Sequence, residues 1–212
     1  MSRSDSPLVW YASYGSNCSR DRFLVYLRGG RAAGSQRDQP GARNAADPLD
    51  DGPVHFTNGI CFSGHARSWG GAPAFLEHRP AVGVGALGRR YLITSDQFGD
   101  VLAQESGRDF DTIALPDLAT IEGGTRTVIG DGFYDALVAL DPIDGVPCVS
   151  FTSPEPPEHR EPAPPSEAYL RTIVRGLADI HDLSPGDIAD HTLAASGMQP
   201  TWDRERVMGL LV

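Results

Sequence analysis

The chain has 212 residues, of which 40% are hydrophobic, enough for the core of one compact domain. Its formal net charge of −10 opposes nonspecific binding to nucleic acid or to an anionic membrane, because both carry charge of the same sign. All 18 basic residues are arginines, which excludes lysine chemistry such as Schiff-base formation. We therefore expect a single domain over residues 1–212, with no nucleic acid or membrane partner.

The cysteines and the N-terminus predict a cytoplasmic protein. Cys18, Cys61 and Cys148 are too scattered for a disulfide framework and form no C-x-x-C motif. The first residues lack the apolar core of a secretory signal, and no run of about 18 apolar residues offers a membrane span.

The first predicted element is an apolar strand from Val9 that breaks into the turn Tyr14–Asn17. Gly15 can adopt a positive φ or admit another group close to the backbone. Ser16 and Asn17 have short polar side chains, and either could cap a helix over Ser19–Leu27.

A segment poor in large apolar residues follows, from Gly29 to Pro53. Its composition predicts a surface loop, either a tolerated insertion or a lid over a binding site. Farther along, Val82, Val84 and Ala86 alternate with glycines before Tyr91–Thr94, and the whole stretch is typical of a strand. Residues 83–88 match the pattern G-x-G-x-x-G of dinucleotide-binding sites. In such sites the pattern opens a helix, whereas here the residues that follow are predicted to form a strand, which argues against a dinucleotide site.

The segment Thr94–Gly107 predicts a short helix. Thr94 and Gln97 have the spacing of a capping box, and Gly107 can end the helix. Glu105 falls on the same face as the apolar residues Phe98, Val101 and Leu102, so its carboxylate should point inward. Such a carboxylate pairs with a donor, takes up a proton or lies beside a solvent-filled cleft. Asp100 and Asp109 are expected to be ordinary solvated charges.

The last third of the chain predicts a hairpin and a helix. The runs 136–140 and 146–151 are separated by a turn, and Pro147 favours an edge position for the second strand. After the proline-rich connector 153–165, Ser166 can cap a helix whose apolar stripe is typical of core packing. Residues from about 183 onward form a C-terminal extension.

Four short motifs occur in an order that resembles the gamma-glutamylcyclotransferase-like family. They are Tyr14-Gly15-Ser16-Asn17 after a strand, a Gly-Gly segment within 68–74, Gln104-Glu105-Ser106-Gly107, and a Pro-Ser-x-x-Tyr sequence at 165–169. Together they span roughly residues 8–180. The chain departs from the family pattern at Cys18, where a larger apolar residue is common, and at Ser106, which separates Glu105 from Gly107.

The resemblance implies an α+β fold, a small, mostly antiparallel β-barrel with flanking helices. It also implies intramolecular aminolysis of a γ-glutamyl compound to 5-oxoproline, with no cofactor and no metal. Glu105 would then be the catalytic acid and base, and Tyr14, Gly15, Ser16 and Asn17 would bind the small-molecule substrate. The released amine and the oligomeric state stay open.

Other functions also stay open. A noncatalytic small-molecule-binding protein on the same scaffold would keep the pocket without turnover. An interaction module would instead act through the acidic surface and the proline-rich connector. Cys61 and His65 have an isolated metal-like spacing, but six histidines without an H-E-x-x-H pair argue against zinc.

Overall fold

The computed structural model describes residues 6–212 and contains eight strands and five α-helices in that range. The strands are β1 Leu8–Ser13, β2 Asp50–His55, β3 Asn58–Phe62, β4 Ala74–Pro80, β5 Leu87–Thr94, β6 Arg126–Val128, β7 Ala136–Ile143 and β8 Val146–Thr152. The α-helices are α1 Arg20–Arg28, α2 Ser95–Ser106, α3 Glu167–Ile180, α4 Pro185–Leu193 and α5 Arg204–Met208.

The strands form an open six-stranded sheet and a separate two-stranded sheet. The order in the larger sheet is β2-β5-β1-β8-β7-β6, and β3 pairs with β4. Every pairing is antiparallel except that of β1 with β8. The mixed α+β class and the mostly antiparallel sheet are confirmed. No closed barrel is found in residues 6–212, because β2 and β6 stand at opposite edges of the larger sheet, so the expected barrel is not confirmed.

Helices cover both faces of the sheet around β1, which explains why this strand is apolar without alternation. Val9 and Tyr11 belong to one core cluster with Phe23 of α1 and Phe98 of α2. Trp10 and Ala12 belong to the other, which contains apolar residues of α3, α4 and α5. The turn that follows β1 is therefore fixed from both sides of the sheet.

Local signals set the helix ends. The capping box of Thr94 and Gln97 and the left-handed Gly107 after α2 are both confirmed, as is the Ser166 cap of α3. The cap of α1 differs from the prediction, because Ser19 accepts from the Arg22 N–H and residues 16–18 form a separate 3₁₀ turn.

Two strand predictions were wrong in detail. β8 lies inside the sheet between β1 and β7, not at its edge. Pro147, which has no N–H to donate, is compatible with this position because pairing with β1 begins only at the next residue, Cys148, opposite Trp10. Val82 and Val84 lie in an exposed loop, and β5 starts only at Leu87.

The segment 29–53 is more structured than a free surface loop. Its end forms strand β2, which pairs with β5. Arg43 pairs with Asp100 on α2, whose side chain is 1% exposed, so the prediction of Asp100 as a solvated charge was wrong. Asp109 is exposed, as predicted. The role of the segment as an insertion or a lid remains a prediction.

The C-terminal extension contributes to the core. Ile188 of α4, Val207 of α5 and Trp202 between them are buried in the cluster that includes Leu170 of α3. The indole N–H of Trp202 donates to the Pro165 carbonyl, 3.2 Å away, and so fixes the chain just before α3. The extent of the domain, residues 1–212, remains a prediction.

Candidate active site

A cavity of about 90 Å³ lies beside the turn that follows β1. Its walls come from that turn, α1, the loop after α1, the segment before β4, the end of α2 and Tyr169 of α3. All five residues predicted for the site, Glu105 and the four residues of Tyr14–Asn17, line it. The cavity thus brings together two sequence motifs separated by about 90 residues.

Glu105 is the only acidic side chain among the residues that line this cavity. It is partly buried, and its Oε1 atom accepts a hydrogen bond from Nδ2 of Asn17 at 2.9 Å. The same Nδ2 atom lies 3.1 Å from the Tyr11 hydroxyl, and the Asn17 carbonyl accepts from the Tyr91 hydroxyl at 2.7 Å. Asn17 is therefore fixed by β1 and β5 and in turn orients the carboxylate.

Tyrosine hydroxyls surround the carboxylate and stay protonated. Burial raises the pKa of Tyr11 and of Tyr26 well above the ordinary value, and the negative charge of Glu105 raises both further. Burial also raises the pKa of Tyr169; the hydrogen bond with the Ala74 backbone lowers this pKa, and the charge of Glu105 raises it further. The cavity wall is thus polar but carries few ionised groups.

The turn residues have distinct roles. The Tyr14 hydroxyl donates to the Phe151 carbonyl at 2.8 Å and so ties the turn to β8. Gly15 has a φ of −104°, so it is not in a left-handed conformation. Its lack of a side chain instead lets the Tyr169 hydroxyl lie close to the backbone, because a Cβ atom at Gly15 would be 3.1 Å from that hydroxyl. The backbone N–H groups of Ser16 and Asn17 have no acceptor among the hydrogen bonds of residues 6–212.

The Gly-Gly segment acts mainly through packing. A Cβ atom on Gly71 would lie 2.3 Å from the backbone nitrogen of Ser166, so only glycine lets this segment lie against the start of α3. Its neighbour Ala72 donates to the Pro164 carbonyl. Ser68 and Trp69, just before the glycines, reach the cavity wall themselves.

The cavity residues that sequence reasoning missed include Arg22, Arg37 and Gln39. Arg22 lies on the buried face of α1, four residues before Tyr26, and its Nη2 atom donates to the Tyr26 hydroxyl at 2.6 Å. The i, i+4 spacing of these two residues could have predicted their contact from the sequence. Arg37 and Gln39 belong to the irregular loop after α1, where no periodicity exists to predict their direction.

Residues 6–212 contain neither a cluster of metal-ligating side chains nor a membrane-spanning helix. No group of three or more His, Cys, Asp or Glu side chains there is arranged to hold a metal ion. No helix within that range combines the length and apolar character needed to cross a membrane.

The chain is similar to a protein of known sequence and to several solved structures, two of which are described below. No family model matches the sequence. The chain is 29% identical over 189 residues to histone deacetylase 5 from Arabidopsis thaliana, a match that covers 81% of this chain but 28% of that protein's length. The chain thus spans less than a third of this relative.

The two solved structures share the fold. A gamma-glutamyl cyclotransferase superposes with a TM-score of 0.52 at 14% identity, over 95% of this chain and 98% of that one. An uncharacterized protein from Homo sapiens superposes with a TM-score of 0.51 at 16% identity, over 87% and 86% of the two chains. Together with the α+β architecture, these likenesses show that the chain has the gamma-glutamylcyclotransferase-like fold.

Proposed function

We propose that this protein is a cyclotransferase that converts a γ-glutamyl amino acid or γ-glutamylamine into 5-oxoproline and the free amine. The observation that carries the proposal is the 2.9 Å hydrogen bond between Asn17 and Glu105 at the wall of the cavity. A carboxylate held in place beside a small cavity is suited to moving a proton on a bound substrate.

The reaction joins two atoms of one substrate molecule. The α-amino nitrogen attacks the γ-carbonyl carbon and forms the ring C–N bond, and the bond from that carbon to the departing amine breaks. Glu105 accepts the proton from the attacking nitrogen and returns it to the departing nitrogen. Because both reacting atoms belong to one short chain, holding the folded conformation supplies much of the acceleration.

The size of the cavity fits the glutamyl half of such a substrate. A volume of about 90 Å³ has room for roughly six to nine water-sized groups. A γ-glutamyl group has a similar number of non-hydrogen atoms, so the departing amine would lie at the mouth of the cavity. The free N–H groups of Ser16 and Asn17 are suited to the oxyanion that develops on the γ-carbonyl oxygen.

We test this function by incubating the purified protein with a panel of γ-glutamyl amino acids and γ-glutamylamines and measuring 5-oxoproline by mass spectrometry. Glu105→Gln should lower the rate by a factor of about 10²–10⁴, since it removes the proton acceptor. The exposed Asp109, which follows the same helix, provides the matched control Asp109→Asn, which should keep the rate.

Two results would contradict the proposal. Glu105→Gln with the wild-type rate would show that the carboxylate does not move the proton. Binding of a γ-glutamyl compound without product would favour the noncatalytic small-molecule-binding protein on the same scaffold. We also propose a cytoplasmic location for this protein. Cys18, Cys61 and Cys148 are buried and form no disulfide, which is typical of proteins in a reducing compartment.

A further inference from the structure

Arg22 is a buried cation that forms no direct ion pair within residues 6–212. Its side chain belongs to a residue that is 3% exposed, and its Nε and Nη1 atoms are buried without a hydrogen-bond partner among residues 6–212. The ion pairs found in that range do not include Arg22. Unsatisfied donors on a buried charge are costly, which indicates that a ligand satisfies them.

The surroundings of Arg22 favour a planar anion. The guanidinium carbon lies 4.2 Å from the ring centre of Tyr26 and 5.5 Å from that of Trp69, so aromatic rings flank the charge and one nitrogen is fixed by the Tyr26 hydroxyl. Arg22 lines the cavity, and its Nε and Nη1 atoms are buried at the cavity wall without hydrogen-bond partners among residues 6–212. A guanidinium held in this way is matched by the two oxygens of a carboxylate.

The same cavity contains two acceptors that lack donors. Oδ1 of Asn17 and Oε1 of Gln39 are buried without partners in the described part of the chain, and both residues line the cavity. The orientation of the Asn17 amide follows from its neighbour, because Glu105 can only accept when ionised and so faces the NH₂ group. These oxygens, together with Glu105, are suited to an ammonium group.

We infer that Arg22 binds the α-carboxylate of the substrate while Asn17 Oδ1, Gln39 Oε1 and Glu105 receive its α-ammonium group. The inference rests on the proposed function and narrows its substrate class: the glutamyl half must have both a free α-carboxylate and a free α-amine. Arg22 is then a specificity-determining residue. It holds the Cα atom by its two charged substituents and so directs the amine toward the γ-carbonyl.

The test compares two probes, γ-glutamylalanine and its counterpart in which the glutamyl α-carboxylate is a carboxamide. Their binding to the 212-residue Glu105→Gln protein is measured by calorimetry, so that turnover does not interfere. We expect the carboxamide to bind more weakly by a factor on the order of 100, because the buried guanidinium would be left without its anion. Equal affinity for the two probes would overturn the inference without any change at Arg22.

Arg22→Gln in the same background provides the second comparison. It should weaken binding of the acid strongly and leave binding of the carboxamide nearly unchanged, so that the two affinities converge. A purely structural role would weaken both probes equally and would also overturn the inference. Arg20→Gln, on the same helix but with a side chain 38% exposed, is the matched control and should keep the wild-type discrimination.

This experiment separates the inference from the proposed function. A wild-type protein that discriminates between the two probes but forms no 5-oxoproline would support the α-carboxylate site and refute the cyclotransferase activity. A wild-type protein that cyclises both probes equally well, the acid to 5-oxoproline and the carboxamide to 5-oxoprolinamide, would support the activity and refute the role of Arg22. An N-acetylated γ-glutamylalanine tests the ammonium side in the same way and should not bind with the affinity of the free amine.

Discussion

At the scale of single residues, two of the three acids of helix α2, Glu105 and Asp100, have different environments. Glu105 lines the cavity, whereas Asp100 is 1% exposed and faces the loop after α1. Asp100 accepts from the backbone N–H of Arg43 at 2.8 Å and from its guanidinium Nε at 2.9 Å. One acid is available to a ligand, and the other fixes the loop against the helix.

Asp100→Asn should therefore lower the free energy of unfolding by about 1.5–3 kcal/mol, because charge-assisted hydrogen bonds to a buried carboxylate are lost. Urea unfolding followed by circular dichroism measures the change. Asp109→Asn, at an exposed position, should change the stability by less than about 0.5 kcal/mol. Equal stability of the two variants would mean that Asp100 does not hold the loop.

At the scale of elements, the loop between α1 and β2 completes the cavity. Gln39 is buried in the cavity wall, whereas Arg37 lines the cavity but is exposed to solvent. Arg37 lies next to Gly107, at the end of α2 and two residues beyond Glu105. An exposed cation at this position is suited to the departing half of a substrate rather than to the buried half.

If the proposed function is correct, Arg37→Gln should raise KM for γ-glutamyl amino acids, whose departing half carries a carboxylate, and leave KM for γ-glutamylamines nearly unchanged. The expected change is about 2- to 10-fold, as for a solvent-exposed charge pair, and it should shrink at high salt. Steady-state kinetics with one substrate of each kind measure it. A parallel rise in KM for both substrates would argue for a general effect on the loop.

At the scale of the whole molecule, histidines join the C-terminal helices to the sheet. Nε2 of His191 accepts from the Leu87 N–H at 3.1 Å, and Nε2 of His181 lies 2.8 Å from the Gly88 carbonyl. Burial lowers the pKa of both rings, and the neighbouring His55 lowers both further. Protonation of His191 would break its bond to β5.

The stability of the protein should therefore fall in mildly acidic solution. For a histidine whose folded pKa lies below the unfolded value of 6.5, the unfolded state binds more protons once the pH drops below 6.5. Stability from these groups is complete above that pH and is lost as the pH falls toward the folded pKa. Urea unfolding at about pH 7.5 and about pH 5.5 measures the loss.

His191→Gln should reduce the difference between the two pH values, since it removes one of the groups that titrate. His159→Gln, at an exposed position, should keep the full difference. The same difference in wild type and His191→Gln would place the acid sensitivity elsewhere in the molecule.

Local order in this protein could be predicted from the sequence because its causes are close along the chain. The capping box of α2, its left-handed Gly107 and the Ser166 cap of α3 each depend on residues within a few positions. The short motifs likewise predicted the fold family and the two segments that line the cavity. The inward direction of Glu105 was predicted from helical spacing together with the family resemblance.

Tertiary structure alone decided what depends on residues far apart in sequence. Asp100 could not be predicted as buried, because its partner Arg43 is 57 residues away in an irregular loop. The interior place of β8 depends on a parallel pairing with β1 across nearly 140 residues. That Arg22 is buried without an ion pair in residues 6–212 becomes clear only from the tertiary structure. Helical spacing predicts which face of a helix is buried, but not which charged side chains lie opposite that face.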